Sequence, residues 1–495
     1  MELVIKVLHS IKDLPQKSTN TLYLIEDNWD DWGTFNSKYY AIFFNRNSVR
    51  VDLGYLKIGC PENKLINKRP DLPAEFLTLP PGYYSLGQGE NYYSNIVSLT
   101  EVESSLILDK INDVVFDESL YLQHQDELAM TDSLQRYVST ATIKGQFHNI
   151  LRGKNRLTRF YFSYKKNSGT IINFEVNPYS TPPTNMHVII GSNGVGKTTI
   201  LNDICEVLTK SKTNHSDITM DNPGIANVIA MSFGTFEKFN PTSLEKLSQN
   251  SVTYSYIGSK KTIKINDREM VIGKTIDDFF DEFVDSLKAC NYEPRKSLLK
   301  RSIENLKFDP ILNQLGIEEI LNSNANTPEL KTLFYSLSSG HKIVILSITK
   351  LIEVIEEKTL LLIDEPETHL HPPLLSALIR LISELLKECN GLAIIATHSP
   401  VVLQETPKRC VTVLSRFGDN LEASRPEIET FGENVSVLTR SVFNLELSRT
   451  GYVKIIMEKI KENKSFNKIY SEFNGEVGGE ALAIISALSD DDEGY

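Results

Sequence analysis

The stretch Met186-His187-Val188-Ile189-Ile190-Gly191-Ser192-Asn193-Gly194-Val195-Gly196-Lys197-Thr198 decides the fold of this 495-residue chain. An apolar run of buried-strand type, 186–190, leads into G-x-x-x-x-G-K-[ST] matched at every fixed position. The residues that follow set Ile200, Leu201, Ile204, Val207 and Leu208 on one helical face. Strand, glycine loop and helix in that order are the setting in which the motif holds phosphate. Glycines let successive backbone N–H groups turn inward at a helix N-terminus, whose dipole favours negative charge. The pattern nominates Gly191, Ser192, Asn193, Gly194, Val195, Gly196, Lys197, Thr198 and Thr199 as cofactor contacts. Lys197 is expected on the β and γ phosphates of ATP, and the Thr198 hydroxyl on Mg²⁺.

A partner for that loop lies downstream in Thr359-Leu360-Leu361-Leu362-Ile363-Asp364-Glu365-Pro366, a buried strand finishing in two carboxylates. Burying charge at a strand end is costly unless a cation compensates, and Mg²⁺ is the natural one. Asp364 is expected to hold the metal through water, and Glu365 to polarise an attacking water as general base. The bland alternative is a capped strand with a surface acidic pair.

Between the two motifs sits Tyr335-Ser336-Leu337-Ser338-Ser339-Gly340-His341-Lys342, ahead of a long apolar helix over 343–355. Alone, Ser-Ser-Gly before a helix is an N-cap. Placed here it resembles the L-S-G-G-Q signature of ABC-type ATPases, with Ser339 for the first glycine and His341 for the glutamine. Glu367-Thr368-His369-Leu370-His371-Pro372 resembles that family's D-loop region, and Thr397-His398-Ser399-Pro400 after the strand 391–396 resembles its switch-histidine segment. The resemblance implies an α/β fold of ABC P-loop type. It also implies ATP sandwiched between two protomers, with Ser338, Ser339 and Gly340 completing the partner's site and His398 joining Glu365 in catalysis. It assigns His369 and His371 to a subunit contact; as a metal pair they lack a third ligand at suitable spacing. One family element is missing: Ser232-Phe233-Gly234-Thr235 stands where a glutamine usually touches Mg²⁺ and water.

Taken together these motifs are similar to those of soluble RecF/SMC-like ATPases of antiphage defence. More particularly, with 25–31, Phe431-Gly432-Glu433 and Gly478-Gly479-Glu480-Ala481, the chain resembles the PtuA-like subunit of Septu or retron-associated systems. That resemblance implies a homo-oligomer of ATP-sandwich dimers serving a separate HNH-type nuclease. The stretch after His398 holds no histidine and is too short for a large fused nuclease, so the cutter is expected on another chain. The competing expectations are a RecF-like DNA-repair clamp and an ATP-held scaffold with little turnover. A transport ATPase is the weakest.

The remainder of the sequence bounds these readings. A net charge of −12 means that the whole molecule does not attract polyanions, so DNA contact needs a local basic patch. Arg152, Lys154, Arg156, Arg159, Lys165 and Lys166 interleave with Phe160, Tyr161, Phe162 and Tyr164. This segment reads either as a base-stacking grip or as a strand whose aromatic packs on adenine. Arg295, Lys296, Lys300 and Arg301 read as a DNA surface or as a solvated helix face. Five scattered cysteines, no signal peptide and no membrane-length apolar run predict a cytoplasmic protein that does not engage the membrane. The expected organisation is a β-rich and helical N-terminal region (1–150), an ATPase lobe with the phosphate loop (151–240), a helical insertion (241–335), a second ATPase lobe (336–416) and a C-terminal helical region with an acidic tail (417–495). Within it, 80–93 reads as irregular, 99–134 as helical, and 253–257 with 262–265 as a hairpin.

Overall fold

The computed structural model describes residues 3–27, 34–136, 138, 140, 142–153, 157–166, 169–209, 218–220, 224–234, 239–241, 252–265, 268–291, 295–314, 328–418, 420–447, 451–462 and 465–488. Trp29, Trp32, Lys154, Arg156, Thr235 and the acidic tail from Asp490 lie outside them.

The first strands are β1 (Val4–Leu8), β2 (Thr21–Glu26), β3 (Lys38–Phe44), β4 (Arg50–Gly59), a short hairpin β5 (Leu65–Ile66) and β6 (Arg69–Pro70), β7 (Glu75–Phe76) and β8 (Tyr84–Gly87). All but the hairpin form one sheet in the order β7-β1-β2-β3-β4-β8. Helices Glu90–Val97, Glu101–Lys110 and Glu118–His124 contribute Tyr92, Tyr93, Ile107 and Tyr121 to the core that also buries Tyr39, Phe43 and Leu56 of this sheet. The stretch 80–93 is therefore not irregular. Its glycines and prolines bracket a fully buried strand, held where the Gly87 N–H donates to the Tyr93 hydroxyl at 2.9 Å. The stretch 99–134 is helical in three pieces, the last a π-helical segment at Ala129–Leu134.

The strands β9 (Phe160–Lys165), β10 (Ile171–Val176) and β12 (Ile218–Met220) make a three-stranded antiparallel sheet, order β10-β9-β12. Beside it is a seven-stranded sheet of β11 (Met186–Gly191), β13 (Asn227–Ser232), β14 (Thr253–Gly258), β17 (Thr359–Asp364), β18 (Leu392–Thr397), β19 (Val411–Phe417) and β20 (Asn420–Ser424). Its order is β14-β13-β17-β18-β11-β19-β20, and every pairing is parallel except β19 with β20. Alternation along the strands splits the interior into two cores, as a sheet covered on both faces requires. Val228, Ile189, Leu360 and Leu362 join the phosphate-loop helix Lys197–Thr209 and the antiparallel sheet. Ile229, Val188, Leu361 and Ile363 join the helices Ile276–Ala289, Arg295–Glu304, Ser339–Val354 and Pro372–Glu388.

The segment 253–257 does not pair with 262–265. Strand β14 continues the main sheet beside β13, while β15 (Lys260–Ile265) pairs with β16 (Arg268–Gly273). The region expected as a helical insertion from 241 onward thus first supplies an edge strand, whose Ile257 is buried in the core. Four helices close the described chain: Val435–Leu447, Gly451–Lys461, Phe466–Glu472 and Gly479–Leu488.

Candidate functional site

Strand register assembles the site at the carboxyl edge of the parallel sheet, where open α/β sheets bind their ligands. Ser232 lies opposite Asp364, Asp364 opposite Ala396, Ile190 opposite Thr397, and Gly191 opposite Leu414. Two glycines are dictated by local geometry. A Cβ on Gly191 would sit 2.4 Å from the Leu414 carbonyl oxygen, and Gly196 has φ +113°, a region that side chains avoid. Val195 is buried in the core and pins the loop, so it can offer a ligand only its backbone. Asn193 and Gly194 are exposed, and Ser192 is half-buried.

Lys197 is 6% exposed, and its Nζ donates to the carbonyls of Gly191 at 2.9 Å and Ser192 at 3.3 Å. The same ammonium lies 2.6 Å from His398 Nε2. Thr198 Oγ1 donates to Asp364 Oδ1 at 3.0 Å, and Thr199 follows on the first helical turn. Burial pushes the Asp364 carboxyl up to about 6, aided by neighbouring Glu365 and Glu367 and opposed by the Thr198 bond and Lys197. A buried carboxylate paired with a hydroxyl and crowded by two further acids is a setting that a divalent cation relieves, so Thr198 and Asp364 fit Mg²⁺. Among the described residues no group of three or more His, Cys, Asp or Glu could hold a metal, and His369 and His371 form no such centre. His371 instead precedes the helix Pro372–Glu388 as its N-cap residue.

Glu365 leaves the strand with φ +49° while its N–H still donates to Ala396 O at 2.9 Å. The left-handed turn ends the buried strand and leaves this residue exposed beside Asp364. Two residues that the motifs did not nominate also serve the site. Glu367 accepts from Thr397 Oγ1 at 2.8 Å and from the His398 N–H at 2.7 Å, clamping the switch segment to the turn after β17. The Arg416 guanidinium comes within 3.7 Å of where a Gly196 Cβ would be, bringing a cation beside the phosphate loop from β19. Glu367 carried a signal in sequence, its place two residues after Glu365. Arg416 carried none, because only the pairing of β19 with β11 brings it near.

Ser338 caps the helix Ser339–Val354, accepting from the His341 N–H at 3.3 Å, and both Ser338 and Ser339 are exposed. Gly340 is buried against the turn after β17, where a Cβ would stand 2.7 Å from the His369 carbonyl oxygen. Signature and D-loop segments therefore touch within one chain. Ser232, at the missing-glutamine position, is buried at the end of β13 level with Asp364.

The aromatic residues of β9 are poorly placed to stack bases. Phe160, Phe162 and Tyr164 are buried in the core, and the half-buried Tyr161 donates its hydroxyl to Asn173 at 2.6 Å. Tyr161 is the one of these four that is not fully buried, so the adenine-packing alternative rests on it. In the second basic cluster, Arg301 bridges to Glu388 at 2.8 Å, tying two helices of the same chain together. All five cysteines are free thiols, and among the described residues no helix is long and apolar enough to cross a membrane.

Residues 260–404 match the family model described as "AAA domain, putative AbiEii toxin, Type IV TA system", a span that takes in the signature, both β17 carboxylates and His398. Among solved structures, the ADP conformation of an ATP-binding cassette of an ABC transporter aligns with 59% of this chain and 99% of its own, at 14% identity and a TM-score of 0.30. An Smc head bound to the C-winged helix domain of ScpA aligns with 54% and 96%, at 11% identity and a TM-score of 0.26. Similarities that slight carry no argument by themselves; the strand order and motif geometry identify an ABC-type P-loop ATPase fold. The similarity to protein ea59 of Escherichia phage lambda is of another order, 34% identity over 510 aligned positions covering 96% of each chain. An alignment that complete leaves no large part of either protein unmatched, and the chain belongs to the ea59 family.

Proposed function

We propose that this protein is an ATP-driven switch in which two copies meet head to tail and each completes the other's nucleotide site. Lys197 and the loop N–H groups hold the phosphates, while Thr198 and Asp364 hold Mg²⁺, which when bound neutralises the charge that develops on the phosphates. Glu365 draws the proton from an attacking water, His398 reads the terminal phosphate, and Ser338 to Gly340 of the second copy close over it. Arg416 adds a cation on the same side. The observation that carries this reading is the convergence of Lys197, Thr198, Asp364 and His398 within hydrogen-bond distance at one sheet edge.

The output is proposed to be control of a separate nuclease, of HNH type, in antiphage defence of the Septu kind; the motif string of the chain supports this. A second reading, a nucleotide-held scaffold with slow turnover, is favoured by Ser232 in place of the usual glutamine. Sedimentation of the purified chain with and without Mg-ATP, with phosphate release followed in parallel, tests the switch. A dimer that forms on ATP and decays as phosphate appears supports it, and a dimer stable for hours with no phosphate favours the scaffold. Failure of the chain to co-purify with, or alter the DNA cleavage of, an HNH protein encoded beside it removes the nuclease role.

A further inference from the structure

The signature serine stands at the head of a chain of three side chains. Ser338 Oγ lies 2.6 Å from His341 Nδ1, and His341 Nε2 lies 3.2 Å from Asp309 Oδ2. His341 and Asp309 are 6% and 8% exposed, whereas Ser338 opens to solvent. Asp309 is held by both oxygens. Its Oδ1 accepts from the N–H groups of Ile311 at 2.9 Å and Leu312 at 3.1 Å, leaving Oδ2 to the imidazole. Burial works against its charge, but those amides and His341 outweigh it and keep the carboxyl below the usual carboxylate range.

An ionised Asp309 has no hydrogen to give, so the hydrogen on that contact belongs to Nε2. In the neutral ring Nδ1 is then the acceptor, and Ser338 must donate inward. Yet a serine that closes on a phosphate oxygen must donate outward. We infer that Asp309 and His341 are positioning residues that turn the hydroxyl hydrogen of Ser338 away from the composite site, so that the signature rests in a non-donating state until nucleotide and partner draw it out. The inference rests on the composite-site reading for its consequence, but not for the hydrogen-bond arrangement itself. It also links the segment around Asp309, whose neighbour Asn305 is bonded to Glu384 at 2.9 Å, to the residue that meets the partner's ATP.

Asp309→Asn separates this role from a merely structural one. The asparagine keeps an oxygen for the amides of Ile311 and Leu312 and presents NH₂ to Nε2, forcing the hydrogen onto Nδ1. Ser338 then accepts from the ring and its hydrogen points outward. In ¹⁵N-histidine-labelled full-length protein without nucleotide, long-range NMR correlations are expected to show one ring, absent in His341→Ala, as the neutral Nε2–H tautomer in the wild type and Nδ1–H in Asp309→Asn. In a Glu365→Gln background with Mg-ATP, Asp309→Asn is expected to tighten self-association by about three- to tenfold, the scale of one hydrogen bond. Nucleotide affinity stays within about twofold in this variant, since Asp309 does not touch the phosphate loop. An Nδ1–H or doubly protonated ring in the wild type overturns the inference, as does an Asp309→Asn variant whose association is unchanged or weakened. If no variant and not the wild type associates on ATP while the ring spectra come out as expected, the composite-site reading falls and the inward-donating arrangement stands.

Discussion

The ammonium of Lys197 sits 2.6 Å from Nε2 of His398, so the two residues proposed to meet the terminal phosphate are in direct contact with each other. The lysine has only hydrogens to give, which makes Nε2 the acceptor. On the proposed reading, a phosphate entering the loop takes Lys197 away from the imidazole. His398 then meets the phosphate through a nitrogen that must carry a hydrogen, and its backbone stays clamped because Glu367 holds its N–H. On that reading binding and sensing are one exchange of partners.

Lys197→Ala removes a charge-assisted phosphate contact worth about 2–3 kcal/mol, and ATP affinity is expected to fall roughly 30- to 150-fold. Titration with a fluorescent nucleotide reads this directly. An unchanged affinity in a variant with wild-type melting would remove the phosphate loop from the nucleotide site.

For Glu365→Gln the expectation is retained ATP binding with hydrolysis slowed by about 10²–10⁴-fold, the range of a lost general base. Single-turnover phosphate release measures it. The trapped dimer should outlast that of the wild type.

Asp364 links metal binding to stability. Its carboxyl is raised from an ordinary value near 3.8 to about 6, so between those values the folded state binds more protons than the unfolded state. The stability it contributes is therefore lost as pH rises through that window. Asp364→Asn is expected to stabilise the nucleotide-free protein by about 1–3 kcal/mol near pH 8, with the advantage vanishing as pH falls towards 4. Denaturation across that range without Mg²⁺ checks the sign. The same variant should lose the Mg²⁺ dependence of ATP binding.

Ser338→Arg places a long cation on the exposed head of the signature helix while leaving the phosphate loop intact. ATP affinity is expected to stay within about twofold, with the ATP-dependent dimer and hydrolysis both lost. A dimer of wild-type strength by sedimentation would show that Ser-Ser-Gly is a helix cap and nothing more.

How much of this was legible in the sequence follows the reach of each interaction. The phosphate loop, the β17 carboxylates and the Thr-His-Ser-Pro segment were readable because short-range constraints, glycine backbone and buried-strand composition, shape them. The buried strand Tyr84–Gly87 was hidden, since the glycines and prolines around it look the same whether or not β4 lies alongside. The pairing of 253–258 with β13 was equally invisible: a hairpin is the local solution, and only the distant edge of the sheet offers the better one. Asp309 illustrates the limit. Thirty-two residues separate it from His341, and a lone aspartate before a proline reads as a turn until the fold closes it onto the ring.

The helix Ser339–Val354 also has a mechanical meaning. Sixteen residues at 1.5 Å each make a rod of about 24 Å, with Ser338 capping one tip and most of its length locked in the core. A rod of that length tilted by about 5° about its far end displaces its tip by about 2 Å, more than the tolerance of a hydrogen bond. Gly340 sets the tip beside the His369 carbonyl with no room for a side chain between them, so a swing in that direction runs toward the turn after β17. On the proposed composite-site reading, a push on the helices packed along this rod would reach the signature as a movement of its tip, far from where it was applied.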